Sequence, residues 1–327
     1  MRRRQLLTGL ARVQGDVLES RLALLSAPSN LGLRPPQPSS VPGCAKAPEA
    51  LREAGLYRRL AETGAGDAGV VLPGRYVADT EPGHVRNEDA IVEHARRLAR
   101  RISVLRQGHR FPLVLGGDCS LLVGAGLALR RAGGFGLVHV DGHTDFRHPG
   151  NSANCASLAG EDLAAAVGLH WPAISGIDGL SPLFRPGDVV HIGCRDDDDH
   201  LAEAQGLLGA AIPASAVTAG SAREVASAAA GIVGRGELAG YWLHVDVDVL
   251  DPTVLPAVDS PDPGGLSAAD LTGLLQALAP GAVGAQVTVF DPDLDPDGRY
   301  ARLLTEILVE GLSGLGTGRA RTPYGGA

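Results

Sequence analysis

Apolar residues along this chain follow two rhythms. Short runs with little polar interruption, at residues 22–25, 70–72, 111–115, 136–140, 189–192, 242–247 and 283–289, read as strands buried on both faces. Between them a 3.6-residue period predicts helices. One covers residues 52–62, and in another Ile91, Ala95, Leu98, Ile102 and Leu105 share a face opposite arginines. Further helices are expected over 121–131, 267–278 and 299–312. The Pro-, Ser- and Gly-rich stretch 27–48 is a loop. Strands alternating with helices imply an α/β fold with a parallel sheet covered on both faces, and in such sheets ligands bind outside the carboxyl ends of the strands.

Those ends carry the chemistry. The run 136–140 leads into Asp141, His143 and Asp145 in alternation, and in extended backbone residues i, i+2 and i+4 point the same way. About a hundred residues later the strand 241–247 carries Asp246 and Asp248 in the same spacing. Clustered carboxylates repel unless protonated or bridged by cations. Two Asp pairs with an imidazole therefore suggest a site for two divalent ions such as Mn, Fe, Co, Ni or Zn. A third strand ends in Gly116-Gly117-Asp118-Cys119-Ser120. Taken singly, an aspartate at a strand end is more often a helix cap or a solvated loop residue; the joint pattern overturns that reading.

Composition narrows the class. The 327 residues suit one catalytic domain over 21–312, with an N-terminal extension at 1–20 and a flexible, Gly-rich tail at 313–327. A net charge of −8, with acids concentrated at 196–199 and 291–297, argues against a nucleic-acid partner. Cys44, Cys119, Cys155 and Cys194 form no C-x-x-C pair, so neither a disulfide framework nor a structural zinc site is indicated and a reducing, cytoplasmic setting is expected. The apolar part of MRRRQLLTGLA is short and soon meets Arg12 and Asp16, unlike a secretion signal. No window is apolar enough to span a membrane.

With GGDCS, VDGHTDF and HVDVDVLDP in this order, and with LALLSAPSNLG, APEALREAGLYRRL, HIGCRD and VTVFDPDLDPDG around them, the chain resembles the ureohydrolase family, which includes arginase and agmatinase. The resemblance covers most of the chain. It implies a three-layer α/β/α fold with a mainly parallel sheet of about eight strands, a homo-oligomer (trimer or hexamer), and hydrolysis of a guanidino or amidino small molecule. It also implies two manganese ions and a bridging hydroxide as nucleophile. Asp141 and Asp246 would bridge the ions, Asp145 and the residue at Cys119 would complete the first site, and His143 and Asp248 the second. Asp198 matches the aspartate that contacts the substrate α-amino group, and Ser152 with Asn154 resembles the pair near its carboxylate. Arg147 stands where the family has an asparagine and is either a carboxylate ligand or a loop cap.

The departures bear on chemistry. Cys119 occupies a position usually held by histidine; a thiolate there would shift preference toward Zn or Fe, whereas a free cysteine is also a common small core residue. The family's proton-shuttle histidine has no counterpart, since Ala156 or Ser157 falls there. His148 and His200 are the loop histidines available to carry protons, whereas His139, His191 and His244 lie within strands and read as structural. Val289 takes the place of a glutamate that pairs with the guanidinium, and an unpaired buried charge costs several kcal/mol. The expectation is therefore a binuclear-metal hydrolase of a modified or less basic guanidine. The alternatives are a degenerate member acting as a partner subunit, or hydrolysis of another amide.

Overall fold

The computed structural model describes residues 21–218 and 220–317. The expected N-terminal extension and residues 318–327 of the expected tail lie outside the described residues. The strands are β1 (Leu22–Ala27), β2 (Gly66–Val70), β3 (Phe111–Gly116), β4 (Gly136–Val140), β5 (Val189–Ile192), β6 (Ala210–Ile212), β7 (Tyr241–Asp246) and β8 (Ala282–Thr288). The helices are α1 (Ala47–Glu53), α2 (Leu56–Glu62), α3 (Glu88–Gln107), α4 (Leu121–Ala132), α5 (Asp162–Ala166), α6 (Pro172–Ser175), α7 (Leu201–Leu207), α8 (Ala222–Val233), α9 (Ala268–Leu278) and α10 (Arg299–Gly311).

All eight strands join one sheet in the order β2-β1-β3-β8-β7-β4-β5-β6, and every pairing is parallel. Alternate residues of a strand enter different cores. Leu113 and Leu115 pack with α1, α2, α8, α9 and α10 on one face, while Val114 packs with α3 to α7 on the other. The two apolar layers account for strands that read as hydrophobic runs with little polar interruption, because neither face meets water.

Where the structure departs from expectation, a weak local signal is the reason. The helix expected over 52–62 is two helices, α1 and α2, broken at Gly55, whose φ of 93° suits glycine. The second strand is Gly66–Val70, displaced from the apolar 70–72, because an edge strand borrows its hydrogen bonds from β1 and needs no apolar run. Strand β6, helix α7 and helix α8 were not anticipated. The buried stripe of α8 is Ala222, Ala226, Ala229 and Val233, and alanine contributes too little hydrophobic contrast to reveal a period. Helix α9 begins where expected, with Ser267 as N-cap and Asp270 returning the bond in a capping box. Of the expected tail, residues 313–317 form turns with Leu315 buried against the core.

Candidate metal centre

The pairing of Val140 with Val245 sets the next residues, Asp141 and Asp246, side by side at the carboxyl edge of the sheet. Beyond this point the extended alternation expected for Asp141, His143 and Asp145 does not continue. The Asp141 carboxylate instead turns the chain by accepting from His143 N at 2.7 Å, and Asp145 has a φ of 47°. The Asp246 carboxylate likewise accepts from Asp248 N at 2.8 Å, and Asp248 from Gly142 N at 3.0 Å. These aspartate turns, rather than the strand pleat, bring the acids together. Gly142 is required at the crossing, since a Cβ there would lie 2.6 Å from the Asp248 carbonyl oxygen.

Around this centre His143 Nδ1 lies 2.9 Å from Asp248 Oδ2 and 3.9 Å from Asp141 Oδ1, and its Nε2 lies 3.1 Å from Asp262 Oδ2. Asp262 thus holds the far nitrogen while Nδ1 faces the carboxylates, the arrangement that orients metal-binding imidazoles. Cys119 Sγ donates to Asp246 Oδ2 at 2.8 Å and lies 3.1 Å from Thr288 Oγ1.

Burial and crowding dominate the electrostatics. Desolvation followed by the Asp248 charge pushes Asp141 and Asp246 well above the usual carboxylate range, and desolvation with the Asp141 charge does the same to Asp145. Burial also acts upward on Asp248, but His143 reverses it and leaves Asp248 low. Asp248 in turn raises His143 to about 10. Burial, then Asp246, lifts the Cys119 thiol. The side chains of Cys119, Asp141, His244 and Asp246 present potential ligand atoms within 4.8 Å of one another, as do those of His139, Asp141 and Asp145, and Asp141 Oδ2 is buried with no hydrogen-bond partner. Oxygen-rich, partly orphaned and mutually repelling, this donor set fits hard or borderline divalent cations.

One pleat below the aspartates runs a polar row whose three histidines were expected to be structural. Register places His191, His139, His244 and Gln286 side by side on β5, β4, β7 and β8, all fully buried. Trp242 Nε1 donates to Gln286 Oε1 at 3.0 Å, so the Gln286 amino group faces His244 Nδ1 at 2.7 Å. The rings of His139 and His244 stack at 4.4 Å, and His139 Nδ1 meets His191 Nδ1 at 3.0 Å. Desolvation keeps the three imidazoles neutral, lowering His191 to about 4, His244 to about 3 and His139 well below its ordinary value.

A cavity of about 920 Å³ opens above the acids, its wall including Arg86, Arg147, Asn154, Asp198, His200 and Val289. Asp198 accepts from Thr144 N and Oγ1 at 2.9 and 2.6 Å and from His200 N at 2.9 Å, so it fastens the β4 loop as well as facing the cavity. Arg147 Nε reaches Glu161 Oε1 at 3.3 Å. His148 and Ser152 do not line the cavity: Gly150 N donates to His148 Nδ1, its Nε2 is turned to Glu203, and Ser152 Oγ accepts from Asn154 N. Proton transfer by His148 is therefore not what this geometry offers, and His200 holds the position on the wall.

Val289 is buried, with a φ of 74° that is costly for a β-branched residue. Its N–H is tied to Gly117 O at 2.7 Å. Sequence reading missed several residues. Asp259 faces the cavity. Glu161, fully buried, accepts from Ala156 N, Ser157 N and His170 Nε2, and Asp162 lies beside Asp145. No spacing rule flags acids that arrive from loops; only the apolar neighbourhood Leu158–Gly160 and Leu163 around Glu161-Asp162 hinted at burial.

The arginase family model matches residues 20–313. The chain is 29% identical over 302 residues to the arginase of Brevibacillus brevis, covering 89% of this chain and 97% of that one. Among solved structures it resembles the native arginase from Bacillus caldovelox (TM-score 0.79, 26% identity, 90% and 98% of the two chains). It also resembles the proclavaminate amidino hydrolase from Streptomyces clavuligerus (TM-score 0.64, 26% identity, 91% and 92%). Aspartate pairs at the ends of β4 and β7, a cavity over them and a match along nearly the whole described length agree: the chain belongs to the arginase family.

Proposed function

We propose that this protein hydrolyses a C–N bond in a guanidine or amidine that is neutral or weakly basic near pH 7. Asp141, Asp145, Asp246, Asp248 and His143 would hold two divalent ions, manganese by family or zinc or iron if the Cys119 thiolate coordinates. Such ions, when bound, supply a water-derived nucleophile near neutral pH and polarise the bond to be cut. The remaining steps fall to the chain. Arg147, Asn154 and Asp198 take the remote, amino-acid-like end of the substrate, so that the reacting carbon faces the aspartates. His200 exchanges a proton with the leaving amine.

The observation that carries the reading is Val289, a buried apolar residue on the cavity wall where the resemblance places the acid that pairs with a guanidinium. Asp291 and Asp293, the substitutes nearest in sequence, are engaged elsewhere: Asp291 accepts from Gly43 N and Asp293 N, and Asp293 pairs with Lys46. The similarity to a protein named a proclavaminate amidino hydrolase supports a substrate other than plain arginine. A homo-oligomer is retained as part of the proposal, to be read by sedimentation. The test is a panel of arginine, agmatine, and acylated, hydroxylated or N-substituted guanidines and amidines, scored for urea or ammonia release with Mn, Fe and Zn. Turnover should favour the weakly basic compounds. Efficient arginine turnover, with kcat/KM on the order of 10⁵ M⁻¹s⁻¹ or above, would contradict the proposal and direct attention to Asp259, whose replacement by Asn would then abolish it.

A further inference from the structure

The two histidines behind the aspartates are not equivalent. His139 Nε2 and His244 Nε2 each lie 3.8 Å from Asp141 Oδ2, and neither nitrogen nor that oxygen has a hydrogen-bond partner although all are buried. Buried polar atoms left this way cost on the order of 1–3 kcal/mol each. The tautomer of His244 is fixed by its neighbours. An indole can only donate, so the Gln286 oxygen faces Trp242 and the Gln286 amino group donates to His244 Nδ1. Neutral His244 must then carry its proton on Nε2, and it presents a donor to Asp141.

His139 has no such constraint. When its Nδ1–H donates to His191 Nδ1 across their 3.0 Å contact, its Nε2 keeps a lone pair. That pair faces Asp141, with Asp162 Oδ1 at 3.5 Å and Asp145 among the neighbouring ligand atoms. A ring that gives its second N–H to a fixed acceptor and offers the other nitrogen to carboxylates is the usual form of a metal-binding histidine. Separations of 3.5 and 3.8 Å are too long for hydrogen bonds. They are close to the roughly 3.3–3.4 Å edge of a tetrahedron with metal–ligand distances of about 2.0–2.1 Å. Cys119, by contrast, already directs its Sγ at Asp246 and Thr288.

We propose that His139 Nε2 supplies the nitrogen ligand of the first ion, together with Asp141, Asp145 and Asp162, and that Cys119 remains a thiol donating to Asp246. The inference rests on the two-ion reading above and specifies its ligands. It places the replacement for the absent strand-end imidazole of β3 on β4, two residues before Asp141, and it removes sulfur from the coordination sphere.

Cobalt(II) is the probe, loaded into stripped full-length protein, with stoichiometry from elemental analysis and ligands from the absorption spectrum. Wild-type protein should bind two ions without a thiolate-to-cobalt charge-transfer band in the near ultraviolet. Cys119→Ser should leave both unchanged. His139→Phe, which fills the space without a donor, should reduce binding to one ion, with affinity for the other weakened by about 10²-fold or more. Two ions of unchanged affinity in His139→Phe, or a thiolate band that disappears in Cys119→Ser, would overturn the inference while leaving the two-ion reading intact. Fewer than two ions in wild-type protein would overturn both. Should His139→Phe fail to fold, the wild-type spectrum decides: a thiolate band contradicts the proposal, and imidazole nitrogen without sulfur in the first-ion spectrum supports it.

Discussion

Four adjacent strands, in the order β3-β8-β7-β4, end at the acid cluster and the cavity above it, and they divide into unlike halves. β4 and β7 end in Asp141, His143, Asp145, Asp246 and Asp248, every one with a side chain suited to a cation. β3 and β8 end in Cys119 and Val289, a thiol and an aliphatic residue, both buried. Uniform loss would have been expected had the chain drifted from chemistry, because buried acids that repel one another destabilise a fold that does not bind ions. The division leaves the acids and imidazole that would hold metal on β4 and β7, while the departures from the resemblance fall at Cys119, beside that centre, and at Val289, on the cavity wall. It weighs against a purely structural partner subunit and for an altered specificity.

The comparison can be broken at its strongest point first. Asp141→Asn should lower kcat/KM by on the order of 10³ or more, since one carboxylate would serve both ions, and elemental analysis should show ion loss; full occupancy with full activity would remove the equipped half from the account. A second effect is on stability. Asp198→Asn places an amide opposite Thr144 N and Oγ1, exchanging an acceptor for a donor at a cost of about 1–3 kcal/mol, and thermal denaturation should fall by several degrees.

A third prediction concerns pH in metal-free protein. Asp141, Asp145 and Asp246 are held above their ordinary values and His143 is raised to about 10. Below about pH 6.5 the buried His139, His191 and His244, whose values are lowered, bind fewer protons folded than unfolded and offset the carboxylates, as does Asp248, held low, at acid pH. Above about pH 6.5 the unfolded histidines are neutral, and the native state binds more protons than the unfolded chain. Stability should therefore fall as pH rises from about 7 to 9. Added divalent ion should flatten the profile, and a metal-independent, flat profile would contradict the repulsion argument. The smallest effect is expected at Arg147, which is 37% exposed and shared with Glu161: Arg147→Ala should raise KM by roughly 10-fold, about 1.4 kcal/mol, with little change in kcat.

What sequence made readable was whatever has a strong period or a dense local spacing. The central strands β1, β3, β4, β5, β7 and β8 are apolar runs with little polar interruption because both faces are covered, and the aspartate pairs begin at the ends of two of them. The edge strands β2 and β6 and the alanine-faced α8 escaped because their burial is set by neighbours and not by their own contrast. In the site, the cluster Asp141 to Asp145 was found for a partly mistaken reason: convergence comes from aspartate-capped turns and a φ of 47° at Asp145, not from strand alternation. His139 and His244 were visible as residues two positions before Asp141 and Asp246, on the same strand face. Their partnership with Gln286 and Asp162 depends on register across β4, β7 and β8 and on a helix from elsewhere in the chain, neither of which a one-dimensional pattern contains.

The division between the halves is tested most directly by returning an acid to β8. The ratio of kcat/KM for arginine to that for the best weakly basic amidine or guanidine should be measured in wild-type protein and in Val289→Glu, with the same metal. A buried carboxylate facing a guanidinium should move the ratio toward arginine by at least about 10-fold, equivalent to roughly 1.4 kcal/mol of discrimination, while ion content stays the same. An unchanged ratio in a folded, fully metal-loaded variant would show that Val289 does not set substrate basicity and would contradict the account.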